Sequence, residues 1–100
     1  MAKYLVTYHG SGMPADPAQI EPMKAAFGQW LQEAGSAVVD PGAPVYLVKQ
    51  VASGTPTDAV EIGGYSIIEA PSLDAAATIL QTHPYVSRGG TLQLNEVVVV

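Results

Sequence analysis

The sequence predicts one α+β domain, in which a four-stranded antiparallel sheet carries two helices on one face. Three observations point to it. Segments with strand and helix character follow one another as strand, helix, strand, strand, helix, strand. A chain of 100 residues has the size of a single domain, so residues 1–100 read as one unit. No internal repeat, linker or low-complexity stretch interrupts it. This βαββαβ order is the ferredoxin-like split pattern.

Residues 3–9, Lys-Tyr-Leu-Val-Thr-Tyr-His, are aromatic and β-branched and predict the first strand. Its alternation separates Tyr4, Val6 and Tyr8 from Leu5, Thr7 and His9. Gly10-Ser11-Gly12 then breaks it. Asp16-Pro17-Ala18-Gln19 has the form of a helix start, with a capping Asp and Pro at the first position. Ile20, Met23, Phe27, Leu31 and Ala34 follow at helical spacing, with Trp30 beside them. Pro22 implies either a separate first turn with the main helix starting at Pro22, or a kink. Gly35 is the expected stop.

Ala37-Val38-Val39 is short and apolar, and Asp40-Pro41-Gly42-Ala43-Pro44 predicts a turn. Residues 45–51 read as a longer strand and residues 52–58 as a loop or hairpin connection. Residues 64–70 predict another strand. Ser72 caps a second helix, with Asp74 in its first turn and Leu73, Ala76, Ile79 and Leu80 as its apolar face. Pro84 is expected to end it. Gly89-Gly90 turns into a last strand from Thr91 to about Val99.

Helices cover one face of such a sheet, and a wet opposite face calls for clean alternation of polar and apolar residues. Residues 45–51 and the closing Val97-Val98-Val99-Val100 are apolar on both faces. The hydrophobic share is 48% and the charged share only 13%, about half the usual value. A chain this short buries only roughly 60–68% of its unfolded surface. Together these predict a homodimer closed through the open sheet face.

The net charge of -5 and four scattered basic residues (Lys3, Lys24, Lys49, Arg88) leave no basic stripe for a phosphate backbone, so nucleic acid is not an expected partner. No run approaches a membrane span. Met1-Ala2-Lys3-Tyr4 passes directly into a strand without a signal-peptide pattern, and a cytoplasmic location is expected. There is no cysteine, hence no disulfide or thiol chemistry. Two histidines without paired spacing fall short of a metal site. The Gly-Ser-Gly and Gly-Gly elements lack the context of a phosphate loop.

Over nearly its whole length the chain resembles the YCII-related family of dimeric α+β-barrel proteins. The carriers are Lys3-Tyr4-Leu5-Val6 with Gly10-Ser11-Gly12-Met13-Pro14, the Asp40-Pro41-Gly42 turn, and Gly64-Tyr65-Ser66-Ile67-Ile68-Glu69-Ala70 with Ser72-Leu73-Asp74-Ala75-Ala76. His83-Pro84-Tyr85 and the run from Gly89-Gly90-Thr91 to Glu96-Val97 complete it. The resemblance implies a ferredoxin-like protomer, a homodimer, and an active-site cleft between sheet and helices. In one branch of that family a His on the first helix pairs with an Asp just before the Pro that ends the second. Here the residue before Pro84 is His83, and residues 22–34 contain no His, with Lys24 nearest the place. A sister branch's Asp-Gly-Pro-Phe motif is also absent, the local residues being Asp40-Pro41-Gly42-Ala43. Neither branch's chemistry therefore transfers.

Imidazole titrates near neutrality, which makes His83 the first acid–base candidate, assisted by His9 or Asp40. Tyr8, Tyr65 and Trp30 are candidate cleft walls and Arg88 a clamp for an anion, with Lys24 and Glu69 the remaining polar candidates. Each has a plainer reading. His83 at a helix C-terminus suits a cation against the dipole or a cap on a carbonyl. His9 suits a hydrogen-bonded strand end, Asp40 ordinary turn chemistry, and Trp30 with Phe27 the core. The leading functional expectation is a small-molecule protein doing proton-transfer or lyase-type chemistry on a small organic acid or ring. Its rival is a non-catalytic ligand-binding or interaction module. No cofactor is expected; haem binding through a His, as in some other α+β barrels, fits poorly with so short a chain.

Overall fold

The computed structural model describes residues 1–10 and 16–100. Strand β1 (Ala2–His9) lies inside an antiparallel sheet between β3 (Gly64–Ala70) and β4 (Thr91–Glu96), with β2 (Val38–Pro44) on the far edge of β3. Helices α1 (Ile20–Ala34) and α2 (Leu73–Gln81) pack on one face, and a short α3 (Pro84–Ser87) follows α2. The ferredoxin-like α+β architecture is therefore present. The predicted Gly-Ser-Gly break runs into residues 11 and 12, which lie outside the described residues, as do Met13 and Pro14.

Alternation in β1 decides the two faces. Tyr4 and Val6 are buried beneath the helices, opposite Ile68 and Ser66 of β3. Trp30 of α1 and Ala76 and Leu80 of α2 close this core, where the small Ala70 and Ala76 let α2 sit near the sheet. The opposite face presents Leu5, Thr7 and His9 beside Ile67, Tyr65, Gln93 and Asn95.

The helix signals act as capping chemistry requires. Asp16 Oδ1 accepts from the Ala18 N–H and starts a 3₁₀ turn over Pro17–Gln19. The expected separate turn thus forms, but α1 begins at Ile20, two residues before Pro22. Pro22 falls in the first turn, where backbone N–H groups have no intrahelical partner to lose. Gly35, at φ 57°, ends α1, and Ser72 Oγ accepts from the Ala75 N–H to start α2.

Three predicted boundaries are corrected. Residues 45–51 are not a strand; β2 runs through the predicted turn instead. Asp40-Pro41-Gly42 is absorbed as register shifts against β3, held by the Gly42 N–H donating to Asp40 Oδ1 and by Ser66 Oγ donating to the Pro41 carbonyl. Pairing closes at Val45 N–H to the Gly63 carbonyl, and every residue from 46 to 61 is exposed. Strand propensity there has no packed surface to act on. At the other end β4 stops at Glu96, opposite Tyr4 of β1, and one further bond, from the Val97 N–H to the Lys3 carbonyl, precedes an exposed tail. Finally, α2 ends at Gln81, and Pro84 opens α3 rather than terminating α2.

These corrections move the surplus apolar surface. The open sheet face is mixed, with Leu5 and Ile67 among polar neighbours. Exposed apolar residues gather on the excursion after β2 (Tyr46 84%, Val51 91%) and in the tail at residues 97–100. No helix of the described residues is long and apolar enough to cross a membrane.

Candidate functional site

His83 stands between α2 and α3. Its N–H donates to the Leu80 carbonyl, and its own carbonyl accepts from the Val86 N–H, which pins the backbone on both sides. Its ring caps α3: Nδ1 accepts from the Tyr85 N–H at 3.0 Å. Beside its acid–base candidacy, the plainer expectation for His83 is a cation at the end of α2 or a cap on a carbonyl. The structure instead makes it the N-cap of α3, a place for a lone pair and not for a positive charge.

The imidazole is 2% exposed and enclosed by aromatic rings. Trp30 lies 4.4 Å away between centroids, Tyr8 5.2 Å and Phe27 5.6 Å. Burial, with the nearby Arg88 charge adding to it, lowers the His83 pKa from 6.5 to about 4. The ring is neutral at pH 7.

From His83 a line of side-chain hydrogen bonds crosses to the sheet. His83 Nε2 is 2.9 Å from Tyr8 Oη, Tyr8 Oη is 2.8 Å from Ser66 Oγ, and Ser66 Oγ is 2.8 Å from the Pro41 carbonyl oxygen. Both ends are backbone groups with a single possible role, so donor and acceptor are determined throughout. The Tyr85 N–H can only donate, so the His83 proton is on Nε2. The Pro41 carbonyl can only accept, so Ser66 donates to it. Tyr8 then accepts from His83 and donates to Ser66. Burial raises the pKa of Tyr8; the Ser66 bond opposes that rise and the neighbouring Tyr85 adds to it.

A cavity of about 240 Å³ lies against this line. Tyr8, His83, Phe27 and Tyr85 line it together with residues 41–44 and the exposed Lys24 and Arg88, and its described lining holds no carboxylate. Tyr85 donates from its hydroxyl to the Gly10 carbonyl and meets the Tyr8 ring edge-on at 5.0 Å. Gly90 makes room for it: a Cβ there would overlap the Tyr85 ring. An engineered cavity of about 150 Å³ holds benzene, so this volume suits a substituted single ring.

The predicted site residues divide by place. His83 and Tyr8 meet at the cavity wall, and Arg88 and Lys24 also line it, Lys24 with Glu21 3.6 Å away. Trp30 is a core residue, its Nε1–H donating to the Ile79 carbonyl and its ring covering His83. Tyr65 borders the cavity, but its alternation with Ser66 turns its side chain to the open sheet face. His9 is also on that face, with Nε2 2.8 Å from Thr7 Oγ1, and does not join His83. Asp40 caps the Gly42 N–H within β2 and is not among the lining residues. Glu69 pairs in register with Lys3, five residues along β1 from Tyr8. No group of three or more potential metal ligands occurs among the described residues.

Sequence reasoning missed Ser66 and Tyr85. Ser66 carried a usable signal, as the one hydroxyl in phase with Gly64, Ile68 and Ala70 on the buried face of its strand. Tyr85 did not, because α3 was not foreseen.

No protein-family model matches the chain, and no curated protein matches it in sequence. Among solved structures it is similar to 5-chloro-2-hydroxyhydroquinone dehydrochlorinase (TftG) from Burkholderia phenoliruptrix AC1100, in complex with 2,5-dihydroxybenzoquinone. The match has a TM-score of 0.55 at 19% identity and covers 93% of this chain and 91% of that one. The two share a fold over most of both chains.

Proposed function

We propose that this chain is a small-molecule enzyme of the YCII-related type, acting by proton-transfer or lyase-type chemistry on a ring-sized organic acid in the cavity between sheet and helices. The observation that carries it is the His83–Tyr8–Ser66 line on the wall of a largely apolar cavity that Lys24 and Arg88 also line. An ionisable pair held in one orientation, with a single partly accessible member, suits a proton-handling site. The similar fold of a dehydrochlorinase seen with a dihydroxybenzoquinone supports both the ring-sized ligand and the lyase-type chemistry. A thermal-shift screen of hydroxylated rings and small carboxylic acids on wild type, Tyr8→Phe and His83→Ala tests the reading. A hit that is turned over by wild type and lost in Tyr8→Phe supports it. A ligand bound without turnover, with equal affinity in all three proteins, identifies a binding module instead.

The working unit is proposed to be a cytoplasmic homodimer. Exposed Tyr46, Val48 and Val51, the valine tail, and Leu5 with Ile67 on the open sheet face supply the apolar surface that a second copy would cover.

A further inference from the structure

The direction of the hydrogen-bond line has a consequence for what the cavity accepts. His83 and Ser66 are 2% and 1% exposed, while Tyr8 between them is only half-buried. A molecule in the cavity therefore reaches Tyr8 before either neighbour. In the resting arrangement the Tyr8 proton points to Ser66, whose own proton is engaged by the Pro41 carbonyl.

If Tyr8 swings its proton away from Ser66, no donor is stranded. Tyr85 N–H still has Nδ1, His83 Nε2–H still has the Tyr8 oxygen, and Ser66 still has Pro41. What is released is one acceptor position on Ser66, which is far cheaper to leave empty than a buried donor. Tyr8 is thus the single movable donor in an otherwise committed line. Its oxygen also keeps the His83 N–H, which polarises the hydroxyl and strengthens it as a donor.

Charge at the cavity has the matching sign. The chain carries -5 overall and only four basic residues, yet two of them, Lys24 and Arg88, line this cavity and no described lining residue is acidic. Glu21 beside Lys24 tempers that one charge at the exposed rim.

Resting on the proposed use of this cavity, we infer that its ligand is a single-ring compound bound as an oxyanion, a phenolate or ring enolate whose oxygen accepts from Tyr8. His83 and Ser66 act as positioning residues: His83 holds the Tyr8 oxygen, and Ser66 parks the Tyr8 proton when the cavity is empty. A fixed donor of this kind stabilises an oxyanion that forms during reaction as well as one already present.

4-Nitrophenol is the probe, because its absorbance distinguishes phenol from phenolate. Wild type is expected to bind the phenolate and to bind uncharged 4-methylphenol more weakly. Tyr8→Phe should lose about ten- to a hundredfold in affinity, the range for a hydrogen bond to a charged group. Ser66→Ala should bind up to about fivefold more tightly, since the resting competitor for the Tyr8 proton is gone. A merely structural serine would give weaker binding. Nitrogen-15 spectra should show the His83 proton on Nε2 at neutral pH. Binding as the neutral phenol, unchanged affinity in Tyr8→Phe, or a proton on Nδ1 would each overturn the inference. So would no nitrophenol binding by wild type, whereas the proposed enzymatic use of the cavity falls if no compound of the screen is turned over.

Discussion

The indole of Trp30 covers the imidazole of His83 at a centroid distance of 4.4 Å, while its Nε1–H is committed elsewhere, to the Ile79 carbonyl at 3.1 Å. Trp30 therefore gives His83 an apolar wall and no hydrogen bond. One residue of α1 ties that helix to α2 and at the same time keeps water from the capping ring of α3. The fold's core and its candidate site share this side chain.

Replacing that wall separates its two roles. Trp30→Phe keeps a ring against His83 but loses the bond to Ile79, whose carbonyl retains Thr82 Oγ1 as a partner. The expected cost is about 1 kcal/mol. Trp30→Ala should cost about 3–5 kcal/mol. By admitting water it should also raise the His83 pKa from about 4 toward 6.5. Denaturant unfolding reads the first effect and an NMR titration of the imidazole the second.

The neutral His83 predicts a stability that falls in acid. Above pH 6.5 neither the folded nor the unfolded imidazole is charged. As the pH drops below 6.5 the unfolded ring takes up a proton, whereas the folded ring does not until about pH 4. Stability contributed by this residue is therefore lost between those values and levels off below them. The loss is up to about 3 kcal/mol, from the size of the shift. Unfolding free energies measured across this window should slope in wild type and be flatter in His83→Gln.

Much of the fold was legible because its signals are local and physically independent. Asp16, Gly35 and Ser72 each satisfy backbone groups within their own turn, so their roles follow from a few neighbouring residues. What failed depended on partners distant in sequence. Residues 45–51 have strand composition but no strand to pair with, and Asp40-Pro41-Gly42 has turn composition yet is held in β2 by Ser66, 25 residues away from Pro41. The site divides in the same way. His83 and Tyr8 stand out by residue type alone, but 75 positions separate them. His9, adjacent to Tyr8 in sequence, lies on the other face of the sheet because strand alternation places it there.

The β2 irregularity makes a sharper pair of substitutions. Gly42 sits at φ 74°, and a Cβ there would overlap the Tyr65 carbonyl. Gly42→Ala should cost about 1–3 kcal/mol from the backbone conformation alone, with the overlap adding to it. Asp40→Asn keeps an acceptor for the Gly42 N–H and should leave stability within about 0.5 kcal/mol. Because Asp40 is not a lining residue, its Asn variant should also retain ligand affinity; a large loss would return Asp40 to the list of site residues.

Leu5 and Ile67 are direct partners across β1 and β3 on the face away from the helices. The cavity lies on the helix side with Tyr8, so assembly and ligand binding can be perturbed separately. If two copies close over this face, Ile67→Lys buries one unpaired charge from each copy in the interface, at the cost of its desolvation. Light scattering should then report a dimer for wild type at micromolar concentration and a monomer for Ile67→Lys, with unfolding still cooperative. Removing residues 97–100 instead probes the valine tail, which leaves the sheet after its last bond to Lys3. A wild-type monomer would overturn the homodimer. A dimer that survives Ile67→Lys but not the truncation would move the interface from the sheet face to its edge.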